Sequence, residues 1–282
     1  MPTTSERILR GLVDTCSKVA MSAPIRRENS PHLVLEVGAI TDVAPAVRRI
    51  TLSGPALNGF SPVAPDEFAG FFLPRGESLS LPPSDVFDIR KAVREMPEQT
   101  RPELRWYTIR AYRPEVLELD LEVLLYGEPH GPGRTWAATV QVGDQVGVRL
   151  SGGGYRPPRP DEPQILIADE SSLPALCAIG ESLTGLPEAE SVQAYVEIPD
   201  DDYAAPMPTM PFPVEIHRRG IRVPGAAIEP VLATTPLSGF RSAWICGEGT
   251  MVRKTRRMLR NAGMDRRHIF YCGYWTRGHA RP

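Results

Sequence analysis

The sequence predicts two domains, an antiparallel β-barrel followed by a doubly wound α/β domain. Three observations carry that prediction. Short β-rich runs bounded by Gly, Pro, Asn or Asp fill residues 32–152. A proline-rich break, RPPRPDEP at 156–163, interrupts the chain. Beyond it, continuous apolar strands alternate with helical spacing, the pattern of a buried parallel sheet. At 282 residues the chain is long enough for two cores.

The elements follow in order. Residues 5–21, SERILRGLVDTCSKVAM, have helical periodicity, with Thr3 and Glu6 as a capping box and Ile8, Leu9, Leu12, Val13, Cys16, Val19 and Ala20 on one face. That helix either packs on its own domain or contacts a second copy or a membrane surface. The division is an N-terminal extension at 1–30, a barrel at 31–158 and an α/β domain at 163–282.

The barrel strands are HLVLEVGAI, AVRRITLSG, EFAGFFLP, RWYTIRAY, ELDLEVLLYG and QVGVRLSG, whose number and spacing suit closure. A long connection at 74–104 carries a helix near DIRKAVREM. GPGRTWA at 131–137 opens a short helix with Trp136 and Ala137 on its apolar side. Its glycines permit close approach, and amides at a helix start bind phosphate.

In the second domain QILIADE is a buried strand, and SSLPALCAIGESL is a helix. SVQAYVEI, FPVEIHRRG, RSAWICGEG and HIFYCGYW are further strands, with the helix TMVRKTRRMLRNAG before the last. ADESSLPAL, 168–176, lies where a strand hands over to a helix, the place at which α/β sheets bind ligands. It is not a G-x-G-x-x-G loop. The basic face of VRKTRRMLR is either solvated or contacts a nucleotide phosphate or an acidic partner.

Composition excludes several classes. Lys+Arg is 32 against 34 Asp+Glu, so the net charge of −2 excludes a globally basic nucleic-acid binder. Cys16, Cys177, Cys246 and Cys272 form no C-x-x-C pair, and no H-x-x-x-H occurs, so no metal site is expected. No apolar run reaches the roughly 20 residues of a membrane span, and Asp14 and Lys18 interrupt any signal-peptide core. The expectation is a soluble, cytoplasmic protein.

A barrel followed by a parallel α/β domain resembles the ferredoxin–NADP reductase-like flavoenzymes, and RWYTIR at 105–110 makes the resemblance specific. In that superfamily an R-x-Y-[ST] strand holds a flavin. Arginine contacts the pyrophosphate, tyrosine stacks on the isoalloxazine, and the hydroxyl bonds the N5/O4 edge. Here these are Arg105, Tyr107 and Thr108, with Arg110 as a further cation. The ordered set RWYTIR, GPGRTWA, VGD at 142–144, ADESSLPA, GEGTMVRKTRR and GYWTRG at 273–278 is similar to the siderophore-interacting protein family over about residues 32–278.

The resemblance implies non-covalent FAD, NAD(P)H as donor and a ferric siderophore as substrate. Tyr107, Thr108 and Ser171 are the implied catalytic residues. The implied cofactor-binding residues are Arg105, Tyr107, Thr108, Arg110, Gly131, Gly133, Arg134, Thr135, Trp136, Asp169, Glu170, Ser171, Tyr274 and Trp275. Transient association with a membrane or transporter fits such a role, and the oligomeric state stays open. Two rivals remain: a related flavoenzyme with another acceptor, such as free flavin, ferredoxin or a quinone, and a non-catalytic iron-chelate adaptor.

Two departures from the family pattern matter. Gly133-Arg134 replaces its Ala-Ser, with Thr135 or Arg134 as substitutes for the lost hydroxyl. Gly70 stands where many relatives carry a lysine, which implies a less cationic cleft that favours neutral or lipophilic chelates unless Arg48, Arg49 or Arg134 compensates.

Overall fold

The computed structural model describes residues 21–76, 78–125, 131–203 and 207–278. The predicted helix at 5–21 lies outside them except for its last residue.

The first half forms an eight-stranded antiparallel sheet. Its strands are β1 (Ile25–Arg26), β2 (His32–Ala44), β3 (Val47–Ser53), β4 (Phe68–Leu73), β5 (Glu103–Thr108), β6 (Ala111–Arg113), β7 (Glu118–Leu124) and β8 (Gln145–Gly153). The order is β5-β4-β8-β2-β3-β7-β6, with β1 paired to β8. Alternation puts Leu35, Val37, Phe71, Leu121 and Val148 into one core.

The predicted strand 105–112 is two strands. The ladder breaks at Ile109–Arg110, where Ile109 N–H bonds Glu67 O and Arg110 N–H bonds Asp120 O, each at 2.8 Å. β5 pairs with β4 and β6 with β7. The two ends of the sheet are therefore joined by a bend of the chain itself, and this bend closes the barrel.

Two helices decorate it. α1 (Ile89–Arg94) sits in the connection between β4 and β5, N-capped by Asp88, which accepts from Lys91 N–H at 2.9 Å. Its Ile89 and Val93 pack with Phe72, Leu104 and Trp106 on the outer face of the barrel wall. α2 (Pro132–Thr139) begins with proline at its first position and buries Trp136 and Ala137.

The second half is a five-stranded parallel sheet: β9 (Gln164–Asp169), β10 (Val192–Ile198), β11 (Val214–Arg218), β12 (Ser242–Glu248) and β13 (Ile269–Trp275). The order β11-β10-β9-β12-β13 reverses between β9 and β12. Both faces are covered. Leu166 and Ala168 of β9 join a core with α3 (Leu173–Leu183), while Ile165 and Ile167 join another with α4 (Ile228–Thr234) and α5 (Gly249–Asn261).

Two polar contacts tie the sheets together. Asp66, buried beside β4, accepts the Gly154 and Tyr155 amides at 3.0 Å and Trp244 Nε1 of β12 at 2.8 Å. Arg110, at the bend, pairs with Glu181 of α3 through two bonds of 2.8 and 2.7 Å.

Candidate functional site

β5 presents its residues alternately to two sides. Tyr107 points inward, its ring 5.8 Å from that of Phe71 in a tilted edge contact. On the same side its phenol reaches the first turn of α2. A Cβ at Gly133 would stand 3.2 Å from Tyr107 Cζ, closer still to Oη, and 3.7 Å from Arg105 Cγ. Arg105, Tyr107 and the Gly131–Trp136 turn are thus brought together. Burial pushes the Tyr107 phenol up to about 12, against the pull of Arg105. The Arg105 guanidinium donates to Leu104 O at 2.7 Å and pairs with Glu103 at 3.1 Å, so Glu103 holds it at the mouth of the turn. Arg134 and Thr135 occupy the same first turn, and the Thr135 hydroxyl is bonded to Gly131 O at 3.3 Å.

The other side of β5 faces a cleft of about 380 Å³ where barrel, connection and α/β sheet meet. Phe68, Trp106 and Thr108 wall it from the barrel, Phe87 and Ile89 from the connection, and Cys272 and Tyr274 from β13. Tyr107 also lines its edge. Thr108 is 6% exposed, yet its Oγ1 has no hydrogen-bond partner of normal geometry. The nearby Tyr274 phenol is buried and raised well above its usual value, first by burial and then by Cys246, Asp66 and Cys272, while the Thr108 hydroxyl opposes the rise. Thr108 and Tyr274 thus set two hydroxyls side by side on the cleft wall.

The α/β side departs from expectation. Asp169 is fully buried and accepts from Ser171 N–H (2.9 Å), Ser171 Oγ (2.6 Å), Glu248 N–H (2.7 Å) and Trp275 Nε1 (2.9 Å). Glu170 makes two bonds to Arg219, of 2.5 and 2.7 Å. Burial and Asp169 push its carboxyl up to about 7 against the pull of that arginine. Glu248 in turn caps α5 through the Thr250 and Met251 amides, at 2.6 and 2.9 Å.

Asp169, Glu170 and Trp275, expected as cofactor contacts, are hydrogen-bonded around the loop at the sheet's reversal point. The Ser171 hydroxyl is likewise turned to Asp169. Arg110, expected as a flavin-side cation, is buried and paired with Glu181. Of the proposed compensating arginines, Arg48 pairs with Asp42 and Ala137 O, and Arg49 with Glu122, all away from the cleft.

Sequence reasoning missed Trp106, Phe68 and the Phe87–Ile89 wall. Trp106 occupies the unspecified position of the R-x-Y-T pattern, which carries no motif signal. Alternation along β5 does place it on the same side as Thr108.

A closed barrel carrying this strand, joined to a parallel α/β domain across a shared cleft, defines the class of two-domain flavin- and nicotinamide-linked reductases. Within it, the chain belongs to the siderophore-interacting protein family. Residues 36–154 match the siderophore-interacting FAD-binding domain, and residues 162–278 match the siderophore-interacting protein domain. The chain is 31% identical over 242 residues to the ferric vibriobactin reductase ViuB of Vibrio cholerae, covering 82% of this chain and 84% of that one. It is 26% identical over 250 residues to the NADPH-dependent ferric-chelate reductase of Escherichia coli, covering 86% and 91%. Among solved structures, a siderophore utilization protein from T. fusca superimposes with a TM-score of 0.73 at 26% identity, covering 91% and 97%.

Proposed function

We propose that this chain is an FAD-dependent ferric-siderophore reductase that draws electrons from NAD(P)H. The observation that carries the reading is the cleft-facing Thr108 hydroxyl, buried against the Tyr274 phenol, beside Tyr107 and the Arg105–Gly133 turn. Bound FAD supplies the chemistry, accepting two electrons as hydride and passing them on singly to iron.

The side chains act as holders. Arg105 and the amides of the α2 turn take the pyrophosphate, with Arg105 exchanging Glu103 for phosphate oxygens. Tyr107, Thr108 and Tyr274, which line the cleft, would hold the isoalloxazine there. The Asp169–Ser171–Trp275 network fixes the loop that a nicotinamide would approach. No general acid or base is required. Iron leaves because hard oxygen ligands hold Fe(II) more weakly than Fe(III).

Among the described residues no helix is long and apolar enough to cross a membrane. We place the reaction in the cytoplasm, where NAD(P)H is available. The test is the flavin content of the purified protein, followed by anaerobic reduction with NADH and with NADPH. A protein that binds no FAD on reconstitution overturns the reading.

A further inference from the structure

The cleft beyond Thr108 has its own chemistry. Gly70 and Trp106 are directly paired across β4 and β5. A Cβ at Gly70 would meet Leu104 Cδ1 at 3.0 Å and the six-membered ring of Trp106 at 3.2 and 3.3 Å. The indole therefore lies over the bare glycine, with Phe68 edge-on at 5.7 Å. A longer side chain at position 70 would have to displace it. Ile89, packed with Trp106, and the exposed ring of Phe87 extend the apolar wall.

The charges that line this wall balance. Among the described lining residues there is one acid, Asp88, and one base, Arg90. Nearby cations are engaged: Arg75 and Arg105 both pair with Glu103, and Arg149 donates to Ser84 O and Val86 O. The lining itself carries no net charge to concentrate a multiply charged anion, whereas ring faces and an indole favour flat, uncharged groups.

We propose that Trp106, seated on Gly70, and Phe87 form the recognition wall for a neutral ferric chelate with planar aromatic ligands. This rests on the ferric-chelate reading above and narrows it to a substrate class.

Gallium(III) complexes test recognition apart from electron transfer, because gallium copies the charge and geometry of Fe(III) and is not reduced. The probes are a neutral tris(hydroxypyridinonate), a neutral aliphatic trihydroxamate and a trianionic tris(catecholate). Each is titrated into the FAD-loaded full chain by calorimetry. The expected order of affinity is the ring-bearing neutral complex first and the trianion last. Trp106→Leu should weaken the ring-bearing complex about 3- to 10-fold and leave the aliphatic one within about twofold. Phe87→Ser, at the exposed rim, should do the same if Trp106→Leu proves unfolded.

Tightest binding of the trianion with a steep salt dependence overturns the proposal. So does an equal loss for all three complexes, no loss in either variant, or no binding at all. Reoxidation of the NAD(P)H-reduced flavin by any ferric chelate is scored separately and reports on the reductase reading alone.

Discussion

Gly133 and Tyr107 are matched across the barrel. The glycine's missing side chain is what lets the phenol lie against the first turn of α2, with Cζ only 3.2 Å from where a Cβ would be. Gly133→Ala should push Tyr107 off that turn. Overpacking of this kind costs roughly 1–3 kcal/mol, so FAD affinity should fall about tenfold. Fluorescence titration with FAD measures it, and the urea midpoint of the apoprotein reports the folding cost separately.

Arg105 is held by Glu103 before any phosphate arrives. Arg105→Ala should weaken FAD roughly 10- to 100-fold, the value of a charge-assisted bond at about 1.5–3 kcal/mol. Glu103→Gln should do the reverse and tighten FAD modestly, because the competing carboxylate is gone. Dissociation constants from equilibrium dialysis decide both.

Thr108 differs from Arg105 in kind. In the proposed site its hydroxyl would meet the flavin rim rather than the phosphates, so Thr108→Val should keep FAD affinity within about threefold and shift the midpoint potential or the rate of reduction. A spectroelectrochemical titration of parent and variant reads the shift. A variant with parental potential and parental rate would make RWYTIR a packing strand only.

Trp244 Nε1 is one of the donors that satisfy the buried Asp66 carboxylate, 178 residues away in sequence. Burial raises the Asp66 carboxyl and these hydrogen bonds oppose the rise. Trp244→Phe should destabilise the fold by about 1–3 kcal/mol through the lost bond to a buried acceptor. Urea unfolding, followed by circular dichroism, gives the number.

His32 gives the pH dependence. Burial and Arg149 lower its imidazole from 6.5 to about 4, and the neutral ring lies 2.9 Å from Arg149 Nη1. The unfolded chain binds this proton more readily than the folded one. The contribution is therefore fully present above pH 6.5 and lost as pH falls towards 4. His32 is only half-buried, so the effect should be on the order of 1 kcal/mol. His32→Asn should flatten that part of the curve of thermal midpoint against pH.

Local patterns were legible because they rest on local physics. Strand alternation, the Pro132 helix start and the continuous apolar run of β9 need only neighbouring residues. The bend at Ile109–Arg110 was not legible, since RWYTIRAY alternates without a break. What divides it is pairing with two different strands. The ion pair of Arg110 was hidden for a similar reason. Its partner Glu181 lies 71 residues on, and no spacing rule connects them. Asp169 and Glu170 were flagged by motif position, but their saturation by Trp275, Glu248 and Arg219 is a tertiary fact. Gly70 was noted as a departure, and only the cross-strand register shows that Trp106 fills its place.

The most direct test of the account is one anaerobic experiment on the FAD-loaded protein. NADH or NADPH is added until the flavin absorbance bleaches, and a ferric siderophore is then mixed in with an Fe(II)-specific chromophore present. The account predicts bleaching by at least one donor, return of the oxidised flavin spectrum, and two Fe(II) captured per flavin reoxidised. A flavin that bleaches but is not reoxidised by any ferric chelate would contradict it, as would a protein that never takes up FAD.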